Sequence, residues 1–188
     1  KCSWKLSAWN IYQKNLSVAV GKLSDKTIAD MDRVGDHTMA LDSTGGVHVW
    51  GYNSNGQLGI GNTTNQISPV AVSSLSDTTI VAMACGCYHT MALDSAGGVH
   101  VWGNNGSGQL GTGNTYQKNS PVAVGKLSDK TIVAIACGGY HTMALDSTGG
   151  VHAWGYNSNG QLGIGNTTNQ TSPVAVTSLS DKTIVAIA

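Results

Sequence analysis

The chain repeats itself at a fixed interval of 52 residues. His37, His89 and His141 each open the string His-Thr-Met-Ala-Leu-Asp, and Trp50, Trp102 and Trp154 each precede a glycine. Gly56-Gln57-Leu58-Gly59 recurs as Gly108-Gln109-Leu110-Gly111 and Gly160-Gln161-Leu162-Gly163, and Pro69, Pro121 and Pro173 keep the same step. A period of this size marks a repeat architecture, in which each unit buries its apolar face only against its neighbours. The pattern therefore constrains the fold strongly and the function weakly.

One unit reads as four short strands. Ile80 to Cys85 is an apolar run suited to a buried inner strand, and His89 to Leu93 forms the next strand after the turn Gly86-Cys87-Tyr88. Asp94-Ser95-Ala96-Gly97-Gly98 has the composition of a tight hairpin turn before the alternating strand Val99 to Trp102. A Gly- and Asn-rich loop over 103–120 leads to Pro121-Val122-Ala123-Val124, where a proline suits an edge strand. Four strands joined by hairpins predict an all-β chain of β-propeller blades, each a four-stranded antiparallel sheet. The boundaries are a degraded partial repeat over 1–27 (a loop and an outer strand at Val18 to Val20), blades over 28–79, 80–131 and 132–183, and the first strand of a further blade over 184–188. That makes about three and a half blades. The first unit departs from the rest: Asp30-Met31-Asp32-Arg33 stands where Ala134-Ile135-Ala136-Cys137 stands in the third, and acids on an inner strand are costly unless paired or solvated.

Charge excludes several classes of function. Lys and Arg total 10, Asp and Glu total 10, and charged residues make up 11% of the chain, with no basic run of the kind that binds nucleic acid. No apolar run approaches the length of a membrane span.

The order Ala-Cys-Gly-x-x-His-Thr-x-Ala-Leu, Gly-Gly-Val-x-x-Trp-Gly, Gly-Gln-Leu-Gly-x-Gly and Pro-Val, complete between Ala84 and Val122, resembles the regulator of chromosome condensation repeat. The kelch pattern fits less well, because Trp102 follows the glycine pair by only four residues, and WD-type units are shorter. The resemblance implies a seven-bladed ring, of which this chain supplies about half. A finer step of 104 residues is also present: Tyr52 to Gln66 is identical to Tyr156 to Gln170, so alternate blades are more alike than adjacent ones.

No residue stands out as catalytic. The histidines at 37, 89 and 141, and those at 48, 100 and 152, each occupy one repeat position, whereas catalysis needs an asymmetric constellation. Cys85-Gly86-Cys87-Tyr88-His89 is the most metal-like cluster, but strand alternation keeps its side chains from converging, and Cys137-Gly138-Gly139 lacks the second cysteine. Gly59-Ile60-Gly61 lacks the following helix and lysine of a phosphate cradle. The reading is a protein with no catalytic, cofactor or metal site.

The function expected is therefore that of a non-catalytic scaffold that binds other proteins. The topology brings the Gly/Asn-rich loops and the turns before each histidine to one face, so partner contacts are expected at Tyr52, Tyr88, Asn104, Asn105, Tyr116, Tyr140 and Tyr156. The resemblance also implies a second reading, nucleotide exchange on a small GTPase, although the strict 52-residue step leaves no room for the inserted wedge associated with that role. The open ends predict either self-association or the remaining blades of a longer chain.

Overall fold

In the computed structural model, which describes residues 23–188, the strands form three separate four-stranded sheets in the orders β1-β2-β3-β4, β5-β6-β7-β8 and, from its outer edge inward, β12-β11-β10-β9. The first comprises β1 (Ile28–Val34), β2 (His37–Asp42), β3 (Val47–Gly51) and β4 (Gln66–Ala71). The second holds β5 (Ile80–Cys85), β6 (His89–Asp94), β7 (Val99–Gly103) and β8 (Lys118–Ala123), and the third β9 (Ile132–Cys137), β10 (His141–Asp146), β11 (Val151–Gly155) and β12 (Gln170–Ala175). All neighbouring strands pair antiparallel. These are propeller blades, with β1, β5 and β9 against one another on the inner side. The expected strand at Val18 to Val20 lies outside the described residues.

Alternation along the strands gives each blade two apolar faces. Met39, Leu41, Val47 and Val49 of the first blade pack with Ile80, Met83, Cys85, Ala92 and Trp102 of the second. Met91, Leu93, Val99 and Val101 of the second pack with Ile132, Ala144 and Trp154 of the third. Val99 and Val101 thus face forward while Trp102 faces back. Leu58 and Leu110 sit in these two inter-blade cores although they belong to glycine-rich loops, and Leu162 is buried in a third, smaller cluster.

Two local details differ from the sequence reading, and a third shows how the acids of β1 are accommodated. The outer strands start earlier than the prolines, so Pro69, Pro121 and Pro173 lie within β4, β8 and β12; each strand is outermost and has one unpaired side, which spares the missing N–H. Residues 184–188 form no strand, since no neighbouring hairpin strand is there to pair with them among the described residues. On β1, Asp30 and Arg33 are exposed and Asp32 is half-buried, its Oδ2 accepting the Cys85 N–H of the next blade at 2.8 Å. The acid at position 32 is therefore partnered across blades rather than buried alone.

Candidate functional site

The loop face is built on the joint between blades. Trp102 Nε1 and Thr90 Oγ1, both of the second blade, donate to the carbonyl oxygen of Gln57 in the first, each at 2.8 Å. The joint repeats one blade on, where Trp154 Nε1 at 2.9 Å and Thr142 Oγ1 at 2.7 Å donate to the Gln109 carbonyl. Each indole stacks on a glycine, Gly59 or Gly111, at positive φ, where a Cβ would collide with the ring.

The buried histidines complete this joint. His37 Nε2 lies 3.1 Å from Thr90 Oγ1, and His89 Nε2 lies 3.0 Å from Thr142 Oγ1. Each threonine hydroxyl has already given its one proton to a glutamine carbonyl, so it accepts from the histidine, which fixes the Nε2–H tautomer. Nδ1 of both rings is buried and unpartnered, which suits a neutral ring. Burial pushes His89 down to about 3, helped by His37 and His141, and pushes His37 down to about 4 against the opposing pull of Asp36. These histidines are wedges between blades and are not poised for proton transfer.

A second repeated device shapes the long loops. Asn105 Nδ2 donates to the carbonyls of Asn114 (2.9 Å) and Tyr116 (3.1 Å), and its Oδ1 accepts the Leu110 N–H at 2.9 Å. Asn53 and Asn157 make the corresponding bonds to Leu58 and Leu162. Asn105 is only 1% exposed. It is therefore removed from the expected contact residues: its amide is consumed in folding the loop. The signal was present in the sequence, since an asparagine recurs at 53, 105 and 157, as a structural position does and a binding residue need not.

The tyrosines gather. Tyr52 and Tyr88 meet edge to face with ring centroids 6.4 Å apart, and Tyr88 and Tyr140 are tilted at 6.1 Å, so one aromatic row crosses three blades. Backbone bonds hold the row in place: Tyr52 N donates to Asp36 O, Asn104 N to Tyr88 O and Tyr156 N to Tyr140 O. Tyr140 is 43% exposed, while Tyr52, Tyr88 and Tyr156 are half-buried. Tyr116, at 73%, stands out from the loop and makes no ring contact with other described residues. Asn104 is half-buried and bridges blades, donating to Asn55 Oδ1 at 3.0 Å and accepting from Gln109 Nε2 at 2.7 Å. Position 52 carries Tyr instead, and Gln57 Nε2 is correspondingly buried without a partner.

Charge is sparse on the loop face, where Asp36 stands exposed in the turn before His37. The loops 51–66, 103–117 and 155–170 contain no Asp, Glu, Lys or Arg. The opposite face carries the hairpin acids Asp42, Asp94 and Asp146, whose Oδ2 atoms lie 2.9, 2.8 and 2.8 Å from Nε2 of His48, His100 and His152. Burial opposes ionisation of Asp42 and Asp146, but hydrogen bonds from the turn threonines, the histidines and backbone N–H groups outweigh it and hold both carboxyls below the usual range. The metal-like stretch does not converge. Cys85 Sγ points to Asp32 O, Cys87 is disulfide-bonded, and His89 turns toward Thr142; among the described residues no three ligands assemble.

Comparison with known proteins places this geometry. A family model described as the regulator of chromosome condensation (RCC1) repeat matches residues 44–93, 96–145 and 148–188. The chain is 38% identical over 144 residues to the ultraviolet-B receptor UVR8 of Arabidopsis thaliana, covering 77% of this chain and 33% of that protein. It is 36% identical over 170 residues to the probable E3 ubiquitin-protein ligase HERC3 of Homo sapiens, covering 90% of this chain and 16% of HERC3. Among solved structures, human WBSCR16 superposes with a TM-score of 0.72 at 27% identity over 80% of this chain and 38% of its own. Prp20p of Saccharomyces cerevisiae gives 0.72 at 18% identity, over 79% of this chain and 38% of its own. The chain thus spans no more than about two fifths of any of these proteins.

Proposed function

Because the chain belongs to the regulator of chromosome condensation repeat family, we propose that it is a non-catalytic scaffold that binds a protein partner through its loop face. The observation that carries this reading is the Tyr52–Tyr88–Tyr140 row on a face whose long loops bear no charge and whose one charged turn residue beside the row is Asp36. Tyrosine supplies contact area at low entropic cost, and its hydroxyl adapts to a partner's polar groups. Away from Asp36 a charged group buried against the long loops would find no counter-charge, so the partner surface that fits them is mainly polar or apolar. The buried histidines, the Asp–His turn pairs and the loop asparagines are all committed to holding the fold, and each recurs once per blade.

A photo-crosslinking residue at position 88 or 140, against one at Ser95 or Lys130 on the opposite face, tests the reading. Crosslinks to a partner should form from 88 and 140 alone. Crosslinks confined to the opposite face would overturn it. The structure of Prp20p is described together with its binding to Gsp1p and histones, so a small GTPase is the partner to try first. Accelerated nucleotide release from that GTPase would replace the scaffold reading with an exchange-factor reading.

A further inference from the structure

The tyrosine row offers hydrogen-bond donors and has few acceptors left to offer. The hydroxyls of Tyr52, Tyr88 and Tyr140 make no hydrogen bond to another described residue, and none of the three is buried. The backbone carbonyls along the row are already taken. Asp36 O accepts the Tyr52 N–H at 2.8 Å, Tyr88 O the Asn104 N–H at 2.8 Å, and Tyr140 O the Tyr156 N–H at 2.9 Å. The amide beside the row is taken too: Asn104 Nδ2 donates to Asn55 Oδ1, and Asn104 Oδ1 accepts from Gln109 Nε2 and from the Gly106 N–H.

A ligand that satisfies this pattern brings carbonyl oxygens and few N–H groups. Proline is the residue that keeps its C=O and has no N–H. Segments rich in it adopt polyproline II, which makes no internal hydrogen bonds, so their carbonyls point outward. That backbone is ordered before it docks, and aromatic-lined surfaces exploit this. A ligand in β-strand conformation fits less well, because its N–H groups would meet carbonyls that already have donors.

The period of the row agrees. Successive ring centroids are 6.4 and 6.1 Å apart, and two residues of polyproline II advance about 6.2 Å. The rings are inclined to one another by 63° and 50°, so faces and edges alternate along the row instead of forming one flat platform. Charge marks one end. The long loops carry none, and Asp36 stands exposed in the turn bonded to Tyr52. A basic side chain at one end of the ligand finds its counter-charge there, which fixes the ligand's direction more than its affinity.

We propose that the tyrosine row binds a proline-rich segment in the polyproline II conformation. Its carbonyls accept from the hydroxyls of Tyr52, Tyr88 and Tyr140, and one Lys or Arg at its end pairs with Asp36. This ligand class rests on the scaffold reading of the loop face, which it narrows from a protein surface to a linear segment.

The experiment is fluorescence anisotropy of labelled peptides titrated with the whole 188-residue chain. The probes are an uncharged oligoproline, the same peptide with Arg at its amino end, with Arg at its carboxyl end and with Glu at either end, and a Gly/Ser peptide of equal length. The oligoproline probes should bind at least about tenfold more tightly than the Gly/Ser peptide. Arg at one end should bind more tightly than at the other, and more tightly than Glu. Tyr88→Phe/Tyr140→Phe keeps both rings and loses two donors, so it should weaken oligoproline binding by about threefold to tenfold with its melting temperature unchanged. Asp36→Asn should abolish the preference for Arg over Glu and leave the uncharged oligoproline bound as before. Equal binding of the Gly/Ser peptide, parental affinity in the double Phe variant, or no saturable binding of any oligoproline at millimolar concentration would each overturn the proposal. An Arg preference that survives Asp36→Asn would overturn the pairing with Asp36. Should the oligoprolines fail while crosslinks from positions 88 and 140 still trap a partner, the proline-rich ligand is overturned and the scaffold reading stands. Crosslinks confined to the opposite face would overturn both.

Discussion

Trp102 Nε1 donates to the carbonyl oxygen of Gln57 at 2.8 Å, joining a strand end in one blade to a loop in the blade before it, 45 residues earlier. A glycine-rich loop 51–66 would be mobile by composition, yet it is the floor on which the next blade sits.

Trp102 is fully buried in the first inter-blade core. Trp102→Ala should therefore cost about 3–5 kcal/mol, the usual range for deleting a buried aromatic ring. Trp102→Phe keeps most of the apolar contact and loses the indole donor, so it should cost about 1 kcal/mol beyond the packing change. Trp50→Ala, at the half-buried counterpart, should cost clearly less than Trp102→Ala when all three are compared by urea unfolding at one pH.

The buried histidines set a pH dependence. The folded pKa of His89, about 3, lies below its ordinary 6.5, and that of His37 is about 4. The unfolded chain therefore takes up protons first as the pH falls, and stability drops through this window, by at most about 1.4 kcal/mol per pH unit for each histidine. Asp42 and Asp146, held below the usual carboxyl range, stay ionised over most of it. His89→Gln keeps a donor for Thr142 and removes the titration. Its denaturation midpoint should change less steeply than the parent's between neutral pH and about pH 4.5. An equal slope would show that His89 is not held neutral.

Gln57 and Gln109 are both fully buried, but only Gln109 has its Nε2 paired, to Asn104 Oδ1 at 2.7 Å. Both glutamines accept a loop N–H at Oε1, Gln57 from Asn55 and Gln109 from Ser107, so the two Met substitutions differ in Nε2, which is unpartnered in Gln57. Gln109→Met breaks a bond and leaves an Asn104 acceptor bond unmade. The second substitution should cost about 1 kcal/mol more than the first in thermal unfolding. Equal costs would mean that Gln57 has a partner in solution.

The repeat made the blade legible, because period-2 alternation within a fixed 52-residue frame leaves little freedom in what is buried. Leu58, Leu110 and Leu162 were readable as core inside loops for the same reason. What the sequence did not show was commitment. Asn105 looks like a contact residue until its amide is seen spent on Asn114, Tyr116 and Leu110. Tyr52, Tyr88 and Tyr140 lie at two different repeat positions, and only the pairing of Tyr52 N with Asp36 O, and of its counterparts, brings those positions together.

Under the proposed function, binding resides on the tyrosine row while the rest of the loop face is scaffold. The most direct measurement is the affinity of a partner trapped by crosslinking for Tyr88→Ala/Tyr140→Ala, Asn105→Ala and Lys130→Ala proteins, each with its melting temperature. The double tyrosine variant should bind at least about tenfold more weakly, a loss of about 1.4 kcal/mol, with its melting temperature nearly unchanged. Asn105→Ala should lower the melting temperature, and Lys130→Ala should alter neither quantity. Full affinity in the double variant, or its loss in Lys130→Ala, would contradict the account.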